Sequence, residues 1–299
     1  MIPDGLAQLL LLSGIAIVVA LPVAGLRAKR LRWQIVGGAI VLALLGAGLL
    51  LFQNQAGNRS GANLALAELL PDRRVEGGYV TSQSCRECHE DQFTTWHHSF
   101  HRTMTQAVSP ETVVAPFDNV VLELQGQEYR LSRRGEEFWV NMPDPKWYLT
   151  RASADEASKS GLPAEPPRVD RRIVMSTGSH HMQLYWVVDP VSREILSVPF
   201  IYLFSEQRWV PRADVFLAAE DYHGDGVPIR VWNEGCVNCH AVAGQPRLRQ
   251  DEGRHDTRVA ELGIACEACH GPGEEHVRTQ KLATRTPAVA DGDAAPAAE

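Results

Sequence analysis

Three short units of the sequence combine two cysteines and a histidine at one spacing, Cys-x-x-Cys-His. They contain every cysteine of the chain: Cys85, Cys88 and His89 (haem motif 1); Cys236, Cys239 and His240 (haem motif 2); Cys266, Cys269 and His270 (haem motif 3). Thiols at positions i and i+3 can each form a thioether with a haem vinyl group, and the following imidazole can ligate the iron. The pattern therefore predicts three covalently bound haem c groups, with His89, His240 and His270 as proximal ligands.

A four-cysteine zinc ribbon made from motifs 2 and 3 is the alternative use of these thiols. It leaves Cys85 and Cys88 without a role and does not explain the histidine that follows each pair. Haem attachment uses all six thiols, so we expect no structural disulfide.

Further histidines are available as second iron ligands. Apart from the proximal positions, the sequence contains His97, His98, His101, His180, His181, His223, His255 and His276. His276 follows the Gly-Pro-Gly turn at 271–273, which redirects the chain and frees this side chain to reach a neighbouring haem. The segment from Glu90 to Met104 lacks Gly and Pro and predicts a helix that places His97 and His101 on one face. His180 and His181 directly precede a predicted strand.

Alternation of apolar and polar residues predicts a β-rich insertion at about 119–204. The expected strands are Val120 to Leu124, Glu128 to Ser132, Glu137 to Asn141, Gln183 to Val188 and Glu194 to Phe204. Glycines at 126 and 135 supply turn signals between the first three of them.

Two long uncharged stretches, 5–26 and 33–52, open the sequence, and each has about the 20 residues that a membrane-spanning helix needs. The basic segment 27–32 lies between them, and the positive-inside rule predicts that this turn is cytoplasmic. A cleaved signal peptide is the alternative, but its charges would precede the first apolar stretch. We therefore expect a transmembrane hairpin over 1–52 in a bacterial inner membrane, with the rest of the chain in the periplasm.

The expected fold class is thus α+β, with the two-helix hairpin followed by a triple-haem domain of haem-bearing helices. The predicted boundaries are a linker at 53–78, the haem domain at 79–278 and a disordered tail at 279–299.

Residues 263–277, with the sequence GIACEACHGPGEEHV, resemble bacterial multihaem cytochromes of the cytochrome c554-like type, many of which also carry tetratricopeptide repeats. The resemblance extends to WHHSFHRTM at 96–104 and GSHH at 178–181, and covers roughly residues 85–277. It implies that His101, His181 and His276 supply distal ligands. The paired histidines at 97–98 and 180–181 leave the assignment open by one residue, and Met104 and Met182 are further possible ligands. Since the sequence ends soon after motif 3, we expect neither the repeats nor a fourth haem.

These features together predict a membrane-anchored electron relay, as a subunit of a larger complex. Its expected partners are a membrane electron-transfer complex or quinol oxidoreductase, a periplasmic redox protein and the lipid bilayer. A net charge of −7 argues against nucleic acid. The alternative is an oxidoreductase with one open haem iron that acts on a small nitrogen or sulfur oxyanion or a peroxide, assisted by His97, His98 or His223 and by Arg102 or Arg230. A haem-based sensor would need an output domain, for which the sequence has no signal.

Overall fold

The computed structural model describes residues 64–74, 76–152, 165–215 and 229–285, together with Gly46. Its main body is one antiparallel sheet with the strands β1 (Thr105–Ala107), β2 (Val120–Leu124), β3 (Gln127–Arg134), β4 (Glu137–Pro143), β5 (Arg168–Thr177), β6 (Met182–Val188), β7 (Ile195–Leu203) and β8 (Arg208–Pro211). Strands β2 to β8 are neighbours in chain order, and β1 pairs with β5. Two small pairs complete the described strands: β9 (Ala241–Val242) with β12 (Glu261–Leu262), and β10 (Leu248–Arg249) with β11 (Arg254–His255).

Short turns with positive φ angles connect the first strands of the sheet. Gln125 and Gly126, between β2 and β3, have φ angles of 52° and 72°. Gly135, between β3 and β4, has a φ of 64°. Two-residue hairpins favour this backbone region because its twist matches that of the flanking strands. The predicted strands in this part of the sequence agree with the structure to within a few residues.

The sheet has a hydrophobic core on each face. Alternate residues of β6 point to opposite sides, as a strand requires: Tyr185 and Val187 belong to the first core, and Leu184, Trp186 and Val188 to the second. The first core draws side chains from every strand between β2 and β8, so the sheet curves around it. The second core extends beyond the sheet to the segment that carries haem motif 2.

The described helices are short: α1 (Leu66–Leu69), α2 (Ser82–Arg86), α3 (Glu90–His97), α4 (Pro145–Ala152), α5 (Arg212–Val215), a π-helix (Trp232–Cys236), α6 (Val237–His240), α7 (Cys266–His270) and α8 (Glu274–Arg285). Trp232 and Val237, which flank Cys236, are fully buried in the second core. Their burial attaches haem motif 2 to the sheet. Helix α8 includes 279–285, which the sequence analysis assigns to a disordered tail, and 286–299 lie outside the described residues.

Asn233, which is fully buried, makes the side-chain hydrogen bonds that attach haem motif 2 to the sheet. Its Oδ1 accepts a hydrogen bond from the Ile195 N–H at 2.6 Å. Its Nδ2 donates to Thr257 Oγ1 at 2.8 Å and to the Arg193 carbonyl at 3.3 Å. One amide therefore links the π-helix, the β6–β7 hairpin and the segment after β11.

We expect Asn233→Ala to lower the free energy of unfolding by about 2–4 kcal/mol, because it leaves buried donors and acceptors without partners. Guanidinium unfolding followed by far-ultraviolet circular dichroism measures the change. The control is Asn141→Ala, which removes a half-buried amide whose partner, Arg168, is exposed. Equal losses in the two variants would contradict a special role for Asn233.

The predicted fold class is wrong, because it describes a domain of haem-bearing helices with a β-rich insertion. The sheet is the main body of the described chain, and the haem motifs lie on short helices outside it. The sequence pattern identifies individual strands, but it does not reveal that they join into one sheet with cores on both faces.

The prediction of a membrane-anchored fold is also wrong for this structure. Across the described ranges, no helix is both long enough and apolar enough to cross a bilayer. The predicted spans, 5–26 and 33–52, lie outside the described residues except for Gly46. Neither the two-helix anchor nor the inner-membrane location derived from it is supported.

Candidate haem-binding sites

Each haem motif occupies one or two helical turns. Motif 1 runs from α2 to His89, which precedes α3; motif 2 spans the π-helix and α6; motif 3 coincides with α7. In every motif the first cysteine is half-buried and the second is exposed, and all six thiols are free. Helical spacing thus presents two thiols and one imidazole on the same local surface.

Motifs 1 and 3 lie side by side and are linked by two carboxylates. Glu267, between the cysteines of motif 3, is only 6% exposed. It accepts hydrogen bonds from the Val80 N–H at 2.9 and 3.1 Å and from the Gly273 N–H at 2.7 Å. Glu261 accepts from the N–H and the Oγ of Ser82, at 3.0 and 2.8 Å. Hydrogen bonds to a charged acceptor are among the stronger ones in proteins, so these contacts fix α2 against α7.

The first thiols of the two motifs also interact. Burial, followed by the neighbouring Cys266 thiol, raises the pKa of Cys85 to about 11. Burial likewise raises the pKa of Cys236 in motif 2. The physical cause is the same in both cases, since burial disfavours the charged thiolate.

A close backbone approach joins the loop after α3 to motif 3. The Ile264 N–H donates to the His101 carbonyl at 3.0 Å, and the Trp96 Nε1–H donates to the Ile264 carbonyl at 2.8 Å. At Gly263, with a φ of 82°, a Cβ atom would lie 2.4 Å from the Arg102 carbonyl oxygen. Only glycine fits this position without displacing the backbone.

Motif 2 is joined to motif 3 through the β9–β12 pair. The Gly263 N–H donates at 3.1 Å to the carbonyl of His240, the last residue of α6. Burial lowers the pKa of the His240 imidazole, whose Nδ1 is buried without a hydrogen-bond partner. Motif 3 therefore contacts both motif 1 and motif 2 and connects them.

The predicted distal ligand His276 lies beside a proximal histidine. Its ring centroid is 6.1 Å from that of His89, and the two planes differ by 24°. Helix α8 is held near motif 1 by the Glu274 N–H, which donates to the Gly78 carbonyl at 2.9 Å, and by a 2.6 Å ion pair between Lys281 and Glu87. After the Gly-Pro-Gly turn, α8 thus places the His276 side chain beside His89 of motif 1.

The other two predicted distal ligands occupy exposed positions. His181 stacks on His180 at 3.9 Å, and His180 stacks on Phe100 at 4.2 Å. His101 lies in a turn after α3, so the expectation that it shares a helical face with His97 is wrong.

Helix α3 ends at His97 because side chains donate hydrogen bonds to its last carbonyl groups, which a longer helix would use for its own backbone N–H groups. Ser99 Oγ donates to the Trp96 carbonyl at 2.7 Å, and Arg102 Nε donates to the His97 carbonyl at 2.8 Å. His255 lies on β11, and His223 is outside the described residues. As ligand assignments, all three distal positions remain predictions.

Packing around motifs 1 and 3 fits a large apolar cofactor. Helix α3 buries no side chain, while α2 and α7 bury only Ser82 and Glu267. The local core has just three buried residues, Val242, Ala260 and Ala265. Such helices have too little buried surface to be stabilised by protein contacts alone. Together with the accessible thiols, the packing therefore fits haem c as the missing part of this core.

The two linking glutamates and Gly263 were not predicted as functional residues from the sequence. A glutamate is almost always solvated unless it is paired. The one local signal was the position of Glu267 inside a haem motif.

Comparison with known protein families supports the same assignment. The family described as cytochrome c554 and c-prime matches residues 84–122 and 219–271, the segments that carry all three motifs. A solved structure, an undecahaem cytochrome from the S-layer of Carboxydothermus ferrireducens, matches with a TM-score of 0.35 and 17% identity over 69% of this chain. The chain corresponds to 22% of that protein's length. Comparison with curated protein sequences gives no match. In the segments that carry its three haem motifs, the chain is thus similar to the multihaem c-type cytochromes of the cytochrome c554 and c-prime family.

Proposed function

We propose that the chain binds three haem c groups and relays single electrons between two redox proteins. The observation that carries this proposal is the continuous contact from motif 1 through motif 3 to motif 2. Glu267 and Glu261 hold the first two together, and the β9–β12 pair holds the last two. Three haem motifs in contact along one path would place their haems in a series that suits electron transfer through the protein.

In this proposal, haem c supplies an iron centre that exchanges one electron at a time. The cysteines anchor the three groups, and His89, His240 and His270 ligate them from the proximal side. Proton transfer by the protein is not required.

His276 is proposed as the second ligand opposite His89. Imidazole nitrogens lie about 2 Å from the metal that they bind, so an iron held by both residues would fit between rings whose centroids are about 6 Å apart. The observed separation of 6.1 Å matches this value. His101 and His181 are proposed for the other two irons on the basis of the family resemblance.

The proposed partners are an electron-transfer complex as donor and a redox protein as acceptor. The net charge of −7 favours a partner with a basic docking surface, since complementary charge speeds association. Electron-transfer rates with such a partner are expected to fall as ionic strength rises.

The test combines a haem count with electron paramagnetic resonance of the air-oxidised protein. We expect three haems per chain by the pyridine haemochrome assay, and three low-spin signals. In His276→Ala, one of them is expected to become high-spin, because one iron loses a strong ligand. The control is Arg278→Ala on the same helix, whose partner Glu275 is exposed.

Fewer than three haems would contradict the proposed cofactor content. A high-spin signal in the unaltered protein that shifts with nitrite, hydroxylamine or cyanide would contradict a pure relay and support the oxidoreductase alternative.

A further inference from the structure

We propose that Glu194, Glu234 and His255 form a binding site for a divalent transition-metal ion of the Zn²⁺ class, separate from the haem irons. One ligand atom from each residue lies within 4.8 Å of the others. Imidazole nitrogen and carboxylate oxygen are both ligands that Zn²⁺ accepts in proteins.

The three residues come from three different segments. Glu194 precedes β7, Glu234 lies in the π-helix two residues before Cys236, and His255 lies on β11. A cation bound by all three would connect the sheet, haem motif 2 and the segment between motifs 2 and 3.

His255 is prepared to act as a ligand. It is only 4% exposed, and its Nδ1 lies 3.3 Å from the Pro246 carbonyl oxygen. A carbonyl only accepts hydrogen bonds, so Nδ1 is the donor, and in the neutral ring Nε2 carries the lone pair that would bind a cation. Metal-binding histidines usually have this arrangement, in which a backbone acceptor orients the ring. The His255 N–H also donates to the Ser192 carbonyl at 2.8 Å, which holds β11 beside the hairpin.

Glu194 is positioned by two donors on the same oxygen. Its Oε2 accepts from Ser192 Oγ at 2.8 Å and pairs with the Lys146 ammonium. Both contacts leave Oε1 available to a cation. Lys146 pairs with only one of the two carboxylates, and Glu234 keeps its charge available for a divalent ion.

Binding requires the ligand atoms to move closer, because each must lie about 2 Å from the ion. Glu234 can make this movement, since its side chain is exposed. Lys146 acts as a competitor, since its ammonium is attracted to the same carboxylate as the metal. Removing this ammonium should therefore strengthen metal binding.

The test titrates Zn²⁺ into the haem-loaded protein, stripped of other metals with a chelator, by isothermal titration calorimetry. We expect one Zn²⁺ at this site, binding at least tenfold more weakly in His255→Ala and Glu234→Gln and several-fold more tightly in Lys146→Met. Zn²⁺ should also raise the unfolding midpoint of the unaltered protein, because a ligand that binds only the folded state stabilises it.

Glu252→Gln is the matched control, since Glu252 is exposed and paired with Arg249. Its Zn²⁺ affinity should equal that of the unaltered protein. Glu234→Gln alters an exposed side chain and keeps the fold, so it remains informative if His255→Ala unfolds. Unchanged affinity in both Glu234→Gln and Lys146→Met would overturn the proposal, because Zn²⁺ would then bind elsewhere.

Discussion

Replacing Gly263 with alanine is expected to lower the free energy of unfolding by about 3–5 kcal/mol. The φ angle of 82° disfavours any residue with a Cβ, and that Cβ would lie 2.4 Å from the Arg102 carbonyl oxygen. Relief requires the turn at 101–102 and the segment before motif 3 to separate, which weakens the hydrogen bond from Ile264 to His101. Guanidinium unfolding monitored by circular dichroism measures the loss.

The Gly126→Ala variant measures the cost of a positive φ angle alone, without the steric clash present at Gly263. Gly126 has a similar φ of 72°, but a Cβ there would meet no atom within 4 Å. Its expected loss is about 1–2 kcal/mol, the ordinary cost of a left-handed residue. If the two variants lose the same stability, the close approach between motif 3 and the loop after α3 has no energetic importance.

Glu267→Ala is expected to cost about 3 kcal/mol, because the half-buried N–H groups of Val80 and Gly273 lose a charged acceptor. The haem count should stay at three, because the cysteines and proximal histidines are unchanged. Glu267 also holds Gly273, the residue directly before α8, which carries His276. Loss of this contact should release α8 in part of the molecules, and these should show the high-spin signal expected for His276→Ala. Unfolding in guanidinium and the resonance spectrum together distinguish these effects.

Two further variants test the role of the Glu267 charge. Glu267→Gln keeps one acceptor oxygen and should lose about half as much stability as the alanine variant. Glu275→Ala removes an exposed glutamate that pairs with Arg278, and should change stability by less than about 1 kcal/mol. A Glu267→Ala loss no larger than that of Glu275→Ala would exclude Glu267 as the link between motifs 1 and 3.

The sequence predicted the features that arise from neighbouring residues. Gly126 and Gly135 marked the first hairpins, and both have the positive φ angles that such turns need. The Gly-Pro-Gly turn at 271–273 likewise ends α7 and turns the chain toward α8. Local chemistry decides these positions, so a sequence pattern is sufficient to locate them.

Features that depend on distant residues could not be predicted in this way. Strands β6 and β7 are buried almost throughout, because the second face of the sheet is covered by the segment of haem motif 2. The burial of Glu267 depends on Val80, and the group at Glu194, Glu234 and His255 depends on three segments meeting. The extent of α3 was also missed, since hydrogen bonds from Ser99 and Arg102 end it at His97.

The link between the first and third haem motifs has a consequence for the order in which the chain folds. Val80 and Glu267 are 187 positions apart, whereas strands β2 to β8 pair with their neighbours along the chain. Contacts between near neighbours close small loops and form quickly, and contacts across most of the chain form late. The sheet can therefore form while haem motif 1 is still open to the solvent. The motif synthesised first is then the last to be enclosed, which leaves its thiols accessible for haem attachment while the intervening chain is synthesised.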